Sequence, residues 1–459
     1  MCRPALRRLF HFVLSAALGS FIGSLSIAAA VPTTPGPSAA RPPNILFIVA
    51  DDMGYADVGM HGCTEIPTPN IDALAASGVR FTSAYVSAPI CSPSRAGLLT
   101  GRYQERFGHE FNPRREQGLP LTERTIADRL RASGYHTALI GKWHLGETPA
   151  MHPLQRGFDE FYGFLAGSSH YFGATLLRGT EPVAESEYLT DAFGREAVAF
   201  LRRSWDRPWF LMLSFNAVHD PMEATADRLA KFPGVADKAR RTYDAMTLAM
   251  DDAIGAVRRE LAATGQEANT LVVFVNDNGG PTLPGTTRNA SINAPLRGSK
   301  RTLLEGGIRV ALVVSWAGRL KPGVFEQPAI QLDLTATALA VAGVKVQPEW
   351  GLDGVDLLPY LQGDQAGIPH PVLYWRLGAQ MAIRVGDYKL VRYDSNADTR
   401  IGPNQPPTDY RLYNLAADIG ETRDLSAAQP QRMADMRAKW EAWNATLIDP
   451  LWRNSRDRN

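Results

Sequence analysis

The chain has 459 residues, of which 45% are hydrophobic and 21% charged, with a formal net charge of +1. Those proportions are those of an ordinary globular protein, long enough to bury a large core without disulfides. The near-zero charge, with no basic run interleaved with aromatics, excludes the electrostatic footprint of a nucleic-acid binder.

At the N-terminus, Arg3, Arg7 and Arg8 precede an apolar stretch from Leu9 to Ile27, and Ala28-Ala29-Ala30 offers a small-residue cleavage site before Val31. Residues 1–30 read as a secretory signal. That predicts a secreted or periplasmic protein with no stable membrane insertion after cleavage. An uncleaved anchor is the alternative, since the run is nearly long enough to span a bilayer. Residues 31–43, rich in Pro, Ala, Ser and Thr, form a flexible leader. Cys63 and Cys91 then remain in the mature chain, and a disulfide between them is the bland alternative in an oxidising compartment. The setting of Cys91 argues for a different use.

Five short apolar runs follow: Asn44–Ala50, Thr137–Ile140, Trp209–Phe215, Leu271–Val275 and Ile308–Val314. Each is consistent with a strand buried on both faces. Between them lie amphipathic helices. One begins at Thr68-Pro69 and stops at Gly78; another runs from Thr125 to Ser133 and stops at Gly134. This alternation predicts an α/β fold with a large mixed, mostly parallel sheet sandwiched by helices, over residues 44–361. Residues 362–367 read as a linker. Beyond it, strands at Met381–Val385 and Tyr388–Tyr393 across a Gly386-Asp387 turn, and a helix from Pro430 to Trp443, predict a small α+β domain over 368–459.

Unusual polar residues sit just past the carboxyl ends of the predicted strands: Asp51-Asp52, Lys142 with His144, His219, and Asp277-Asn278. In open parallel sheets that edge is where ligands bind. Three carboxylates and an amide oxygen make an all-oxygen set suited to a hard cation such as Ca2+ or Mg2+. No Cys/His spacing suggests zinc. Each Asp pair alone could be a cap or turn; their recurrence at equivalent strand ends favours a metal. Lys142 and His144 on one side of a strand end suit binding an anion and moving a proton.

Here a resemblance becomes specific. Pro89-Ile90-Cys91-Ser92-Pro93-Ser94-Arg95, trailing into Leu99-Thr100-Gly101, resembles the first signature of formylglycine-dependent (type I) sulfatases, within the alkaline phosphatase-like superfamily. The run from Gly134 to His144 is similar to the second signature. Val275-Asn276-Asp277-Asn278-Gly279 resembles the late metal motif, and Leu296 to Lys300 with Glu305 to Val310 the late lysine segment. The resemblance extends from about Asn44 to Asp424, and Arg156–Phe164 gives it the texture of bacterial carbohydrate and N-acetylgalactosamine-6-sulfatase-like members.

The resemblance implies a sulfuric ester hydrolase. Cys91 would be oxidised by a separate formylglycine-generating enzyme to formylglycine (3-oxoalanine), whose hydrate is a geminal diol. One hydroxyl would attack sulfur; the other would lose its proton and expel sulfate. Asp51, Asp52, Asp277, Asn278 and the modified Cys91 would hold one Ca2+. Arg95 would steady the diol and the carboxylates, Lys142 and Lys300 would bind sulfate oxygens, His144 would take the proton, and His219 with Lys300 would protonate the leaving alcohol. Two departures are visible: Val218 precedes His219 where the family often has Pro, and Asn276 replaces a small Ser, a change expected to matter little. A sulfated carbohydrate is the expected substrate, and Gly167–Tyr171 a segment that would line its pocket or form a surface loop. Two other readings remain: a phosphonate monoester or phosphodiester hydrolase of the same superfamily, and a non-catalytic, calcium-dependent glycan-binding protein.

Overall fold

A computed structural model describes residues 41–282, 289–394 and 407–452. The proposed signal and most of the leader lie outside the described residues. Within them the strands run, in chain order, β1 Asn44–Ala50, β2 Val79–Phe81, β3 Ala84–Tyr85, β4 His136–Lys142, β5 Glu160–Phe164, β6 Thr175–Arg178, β7 Glu181–Ala184, β8 Trp209–Ser214, β9 Thr270–Asn276, β10 Leu312–Ser315, β11 Gly323–Phe325, β12 Ala329–Ile330, β13 Val372–Leu377, β14 Gln380–Val385, β15 Tyr388–Arg392 and β16 Arg411–Asn414. Ten of them form one sheet in the order β11-β2-β10-β9-β1-β8-β4-β5-β6-β7.

The five central strands, β9-β1-β8-β4-β5, are parallel. Antiparallel strands β10 and β6 flank them. Along β1, Ile45, Phe47 and Val49 enter one core, and Leu46, Ile48 and Ala50 enter the other. Alternate side chains point to opposite faces of a strand, and helices cover both faces, so no polar position is tolerated until the strand ends. Register decides which ends meet. Val49 and Gly141 both pair with Ser214, and Ala50 pairs with Asn276. Four strands thus stop at one level, along one edge.

The fifth apolar run departs from expectation. Glu305–Ile308 is a short helical turn, and the strand is only Leu312–Ser315, antiparallel to β9. Arg309 N–H bonds the Glu305 carbonyl and Val310 N–H the Ala84 carbonyl, which draws these residues out of the sheet ladder. Hydrophobicity reported burial there, not hydrogen-bond pattern. The Thr125 helix starts with a reciprocal capping box between Thr125 and Asp128.

The last four strands make an antiparallel sheet, β13-β14-β15-β16, and the Pro430–Asn444 helix packs on β14 and β15. Trp375, Ala382 and Val391 from this sheet belong to the same core as β1. No helix among the described residues is long and apolar enough to cross a membrane.

Candidate active site

Cys91 begins a helix, Cys91–Thr100, whose ten residues are all buried. The helix ends at Gly101 in the left-handed conformation that glycine adopts freely. Its N-terminus faces the edge where β1, β4, β8 and β9 stop. One turn in, Arg95 reaches across that edge. Its Nε donates to Asp277 Oδ2 at 2.9 Å, and Nη2 lies 3.6 Å from Asp51 Oδ2. Its Nη1 donates to Ser214 Oγ at 2.6 Å, and Ser214 donates in turn to the Lys142 carbonyl at 2.8 Å. Ser214, a polar residue inside the apolar run Trp209–Phe215, was not among the residues the sequence pointed to. Beside it Gly141 has φ of 113°, and a Cβ there would collide with the Ser214 carbonyl, so close approach of the two strand ends demands glycine.

The cations and carboxylates interlock. Lys142 Nζ donates to Asp51 Oδ2, and Lys300 Nζ donates to Asp52 Oδ2 at 2.8 Å. His219 Nε2 lies 3.5 Å from Asp52 Oδ2. Asn278 Nδ2 donates to Asp52 Oδ1 at 2.7 Å. Each of these side chains is buried, with His144 and His219 the most accessible at 9% and 7%. Asp51, Asp52, Arg95, Lys142, His219, Asp277, Asn278 and Lys300 therefore meet in one place, Lys300 from a loop that no strand-end rule would have found.

Two acceptors stay unfilled. Asp51 Oδ1 and Asn278 Oδ1 are buried without a hydrogen-bond partner. One oxygen each of Asp51, Asp52 and Asp277 lie within 4.8 Å of one another, as do donor atoms of Asp51, Cys91 and His219. Oxygens crowded this way, with lone pairs unspent, fit a hard divalent cation. Cys63 and Cys91 are both free thiols, which sets aside the disulfide alternative.

The electrostatics follow from burial and charge. Burial pushes Asp51 up, against the pull of Lys142. Burial and the neighbouring Asp51 push Asp277 up to about 6, despite Arg95. Burial opposes ionisation of Asp52 too, yet Lys300 and His219 hold it well below the usual carboxylate range. Burial alone would raise the Cys91 thiol, but Lys142 and Lys300 bring it down to about 7. The histidines diverge. Burial, then Lys142 and Arg95, push His144 well below its ordinary value, which favours the neutral imidazole. Against burial, Asp52 pushes His219 up to about 9, so it carries a proton to give. Two groups of one kind pushed apart by their surroundings is the pattern of an acid–base pair.

Backbone geometry marks the same residues. Asp52 and His144 hold φ of 61° and 60°, unusual for side chains other than glycine. Asn289, which the sequence did not point to, donates to the carbonyls of Asp52 and Val218, both at 2.8 Å, and so ties the Asp52 turn to the His219 loop. Asn276, expected to matter little, accepts from Met53 N–H at 3.2 Å and donates to the Met53 carbonyl at 2.7 Å, locking the segment after β1 to β9. Tyr171 does not line an open pocket. It is fully buried, its hydroxyl 2.7 and 2.8 Å from the Asn216 and His219 carbonyls, while its neighbour His170 is exposed and pairs with Glu223.

The chain is similar to known proteins. The sulfatase family model matches residues 43–344. The chain is 34% identical to N-acetylgalactosamine-6-sulfatase of Canis lupus familiaris over 385 residues, 76% of this chain and 72% of that one. It is 34% identical to arylsulfatase A of Homo sapiens over 446 residues, 85% of this chain and 84% of that one. The crystal structure of Ps i-CgsB in complex with k-i-k-neocarrahexaose matches with a TM-score of 0.82 at 35% identity, covering 90% of this chain and 95% of that chain.

Proposed function

The chain belongs to the sulfatase family and is a sulfatase, and from that premise we propose that it hydrolyses sulfate monoesters carried on carbohydrate, with formylglycine made from Cys91 and one Ca2+. The observation that carries this reading is the pair of unfilled buried acceptors, Asp51 Oδ1 and Asn278 Oδ1, set among three carboxylates directly in front of the Cys91 helix. Asp51, Asp52, Asp277 and Asn278 would hold the cation, with the modified Cys91 beside them. When bound, such a cation would polarise sulfate oxygens and orient the nucleophile, and the hydrate of an aldehyde at Cys91 would carry two hydroxyls, one to attack sulfur and a second to drive sulfate release.

The chain's own residues do the rest. Lys142 and Lys300 bring positive charge to the sulfate oxygens from two sides. Arg95 holds Asp51 and Asp277 in place through its bonds to both. Neutral His144 receives the proton as sulfate departs, and protonated His219 delivers one to the leaving alcohol. Cys91 is 1% exposed, so a formylglycine-generating enzyme must reach it before the chain folds. Export through the segment 1–30 would place the enzyme where extracellular sulfated glycans are met. The carbohydrate reading is supported by the relative named for N-acetylgalactosamine 6-sulfate and by the neighbour solved with a neocarrahexaose.

The test has two parts. Peptide mass of the segment containing Cys91 from active protein should show an aldehyde in place of the thiol; an unmodified thiol at full activity refutes the chemistry. Sulfate release from sulfated oligosaccharides should exceed turnover of aryl sulfates and of phosphate diesters; turnover confined to aryl sulfates refutes the carbohydrate assignment, and preference for phosphate diesters refutes the sulfate one.

A further inference from the structure

Ser92, the residue after the nucleophile, is fully buried and makes three bonds that the chemistry above does not use. Its Oγ lies 2.7 Å from His109 Nε2 and donates to the His144 carbonyl at 2.6 Å. Its backbone N–H donates to Asn112 Oδ1 at 3.2 Å. That N–H is one of the orphan amides of the first helical turn, so Asn112 satisfies a group the helix leaves open. Both partners come from a single loop, residues 108–112, and that loop is itself fastened. Leu451 N–H donates to the Gly108 carbonyl at 2.9 Å, Trp452 Nε1 donates to the Phe111 carbonyl at 3.0 Å, and the Trp452 indole meets the His109 ring edge-on with centroids 4.8 Å apart.

We propose that the 108–112 loop, backed by Leu451 and Trp452, positions the nucleophile and the proton acceptor together, with Ser92 as the joint between Cys91 and His144. The inference rests on the roles proposed above for those two residues. The geometry explains why such a joint is needed. His144 sits in a left-handed conformation, which persists only when its surroundings hold it. It is held at both ends of the residue, by its N–H on the Leu165 carbonyl at 3.0 Å and by Ser92 on its own carbonyl. Releasing the second hold lets the imidazole drift relative to Cys91, while the sulfate-binding lysines, anchored on Asp51 and Asp52, stay put. Drift of that kind costs turnover more than binding. His109, Asn112 and Ser92 are positioning residues here, not catalytic ones.

The test uses the full-length matured enzyme. His109→Ala and Asn112→Ala should each lower kcat by about 10- to 100-fold, the loss expected for a misplacement of about 1 Å. KM should hold within about twofold, and the fraction of Cys91 converted to aldehyde, read by peptide mass, should not change. His109→Gln, which returns a nitrogen near the Nε2 position, should restore most of the loss. Asn112 is only half-buried, so its variant carries the test if His109→Ala fails to fold. Full kcat in both alanine variants overturns the inference, as does a fall in kcat that tracks lost folded protein and is not recovered by His109→Gln. A Cys91→Ala control separates the two levels: turnover surviving it overturns the proposed chemistry, whereas a dead control beside fully active His109→Ala and Asn112→Ala overturns only the positioning role.

Discussion

Two of the buried charge clusters among the described residues are built on different terms. Around Lys389, behind the small sheet, Glu305 Oε1 and Glu421 Oε1 each lie 2.9 Å from Nζ. Glu305 Oε2 accepts from the Tyr85 hydroxyl at 2.6 Å, and Glu421 Oε2 accepts from the Glu305 N–H at 2.7 Å. Each of the four carboxylate oxygens has a protein partner, Glu421 Oε1 through its ion pair with Lys389 alone. At the sheet edge, Asp51 Oδ1 and Asn278 Oδ1 have no partner although they are equally buried. A buried network that satisfies itself has only the fold to serve. Spare acceptors grouped with two further carboxylates in front of the Cys91 helix, where desolvation makes them costly, suit receiving a cation.

The sharpest way to break that contrast is substitution at the open cluster. Asp51→Ala should lower kcat/KM by about 1,000-fold or more, since losing a cation's hold on the reacting group removes several kcal/mol of transition-state stabilisation. Steady-state sulfate release measures it; activity within tenfold of wild type would mean the edge is not a metal site. At the closed cluster the effect should fall on stability instead. Lys389→Met leaves two buried carboxylates facing each other and should destabilise the fold by about 3–5 kcal/mol, with kcat per folded molecule unchanged. Urea unfolding followed by fluorescence reports the first quantity, and assay of the folded fraction the second.

Cation removal sharpens the comparison further. Exhaustive chelation should lower the thermal midpoint and abolish turnover, and Ca2+ at about 100 times its Kd should return about 2.7 kcal/mol of stability. The Lys389→Met variant should show the same Ca2+ increment, because the two clusters are separate; loss of the increment there would join them.

The smallest effect is a pH slope from the closed cluster. Burial and the neighbouring Glu305 push Glu421 up to about 7, against Lys389. At Glu305, Lys389 and Arg309 outweigh burial and bring it down to about 2. Glu421 keeps a proton in the fold that the unfolded chain releases, so this group makes stability fall as pH rises from its ordinary 4.5 towards about 7. Glu305 acts in the opposite sense, and its contribution is lost as pH falls from 4.5 towards about 2. Glu421→Gln should flatten the decline between pH 5 and 7 while keeping the acid limb. Urea midpoints measured across pH test it, and an unchanged slope would refute the assignment.

What the sequence alone determined was chemistry and strand core. The Cys91 to Arg95 motif, the Asp51-Asp52 and Asp277-Asn278 pairs and four buried strands are written in local pattern, because two-sided burial forces a continuous apolar run and the first polar residues after it must lie at an edge. The sense of the flanking strands was not legible. Ile308–Val310 lies in a run that reads as a strand, but the N–H groups of Arg309 and Val310 bond Glu305 and Ala84, and hydropathy carries no record of hydrogen-bond partners. Nor could local pattern reveal the supports. Asn289 reaching Asp52 and Trp452 backing His109 are polar or aromatic residues in irregular segments, with no period to betray them. Only tertiary structure decided which of these would meet, because register aligns four strand ends at one level and the loops between them close over whatever that level presents.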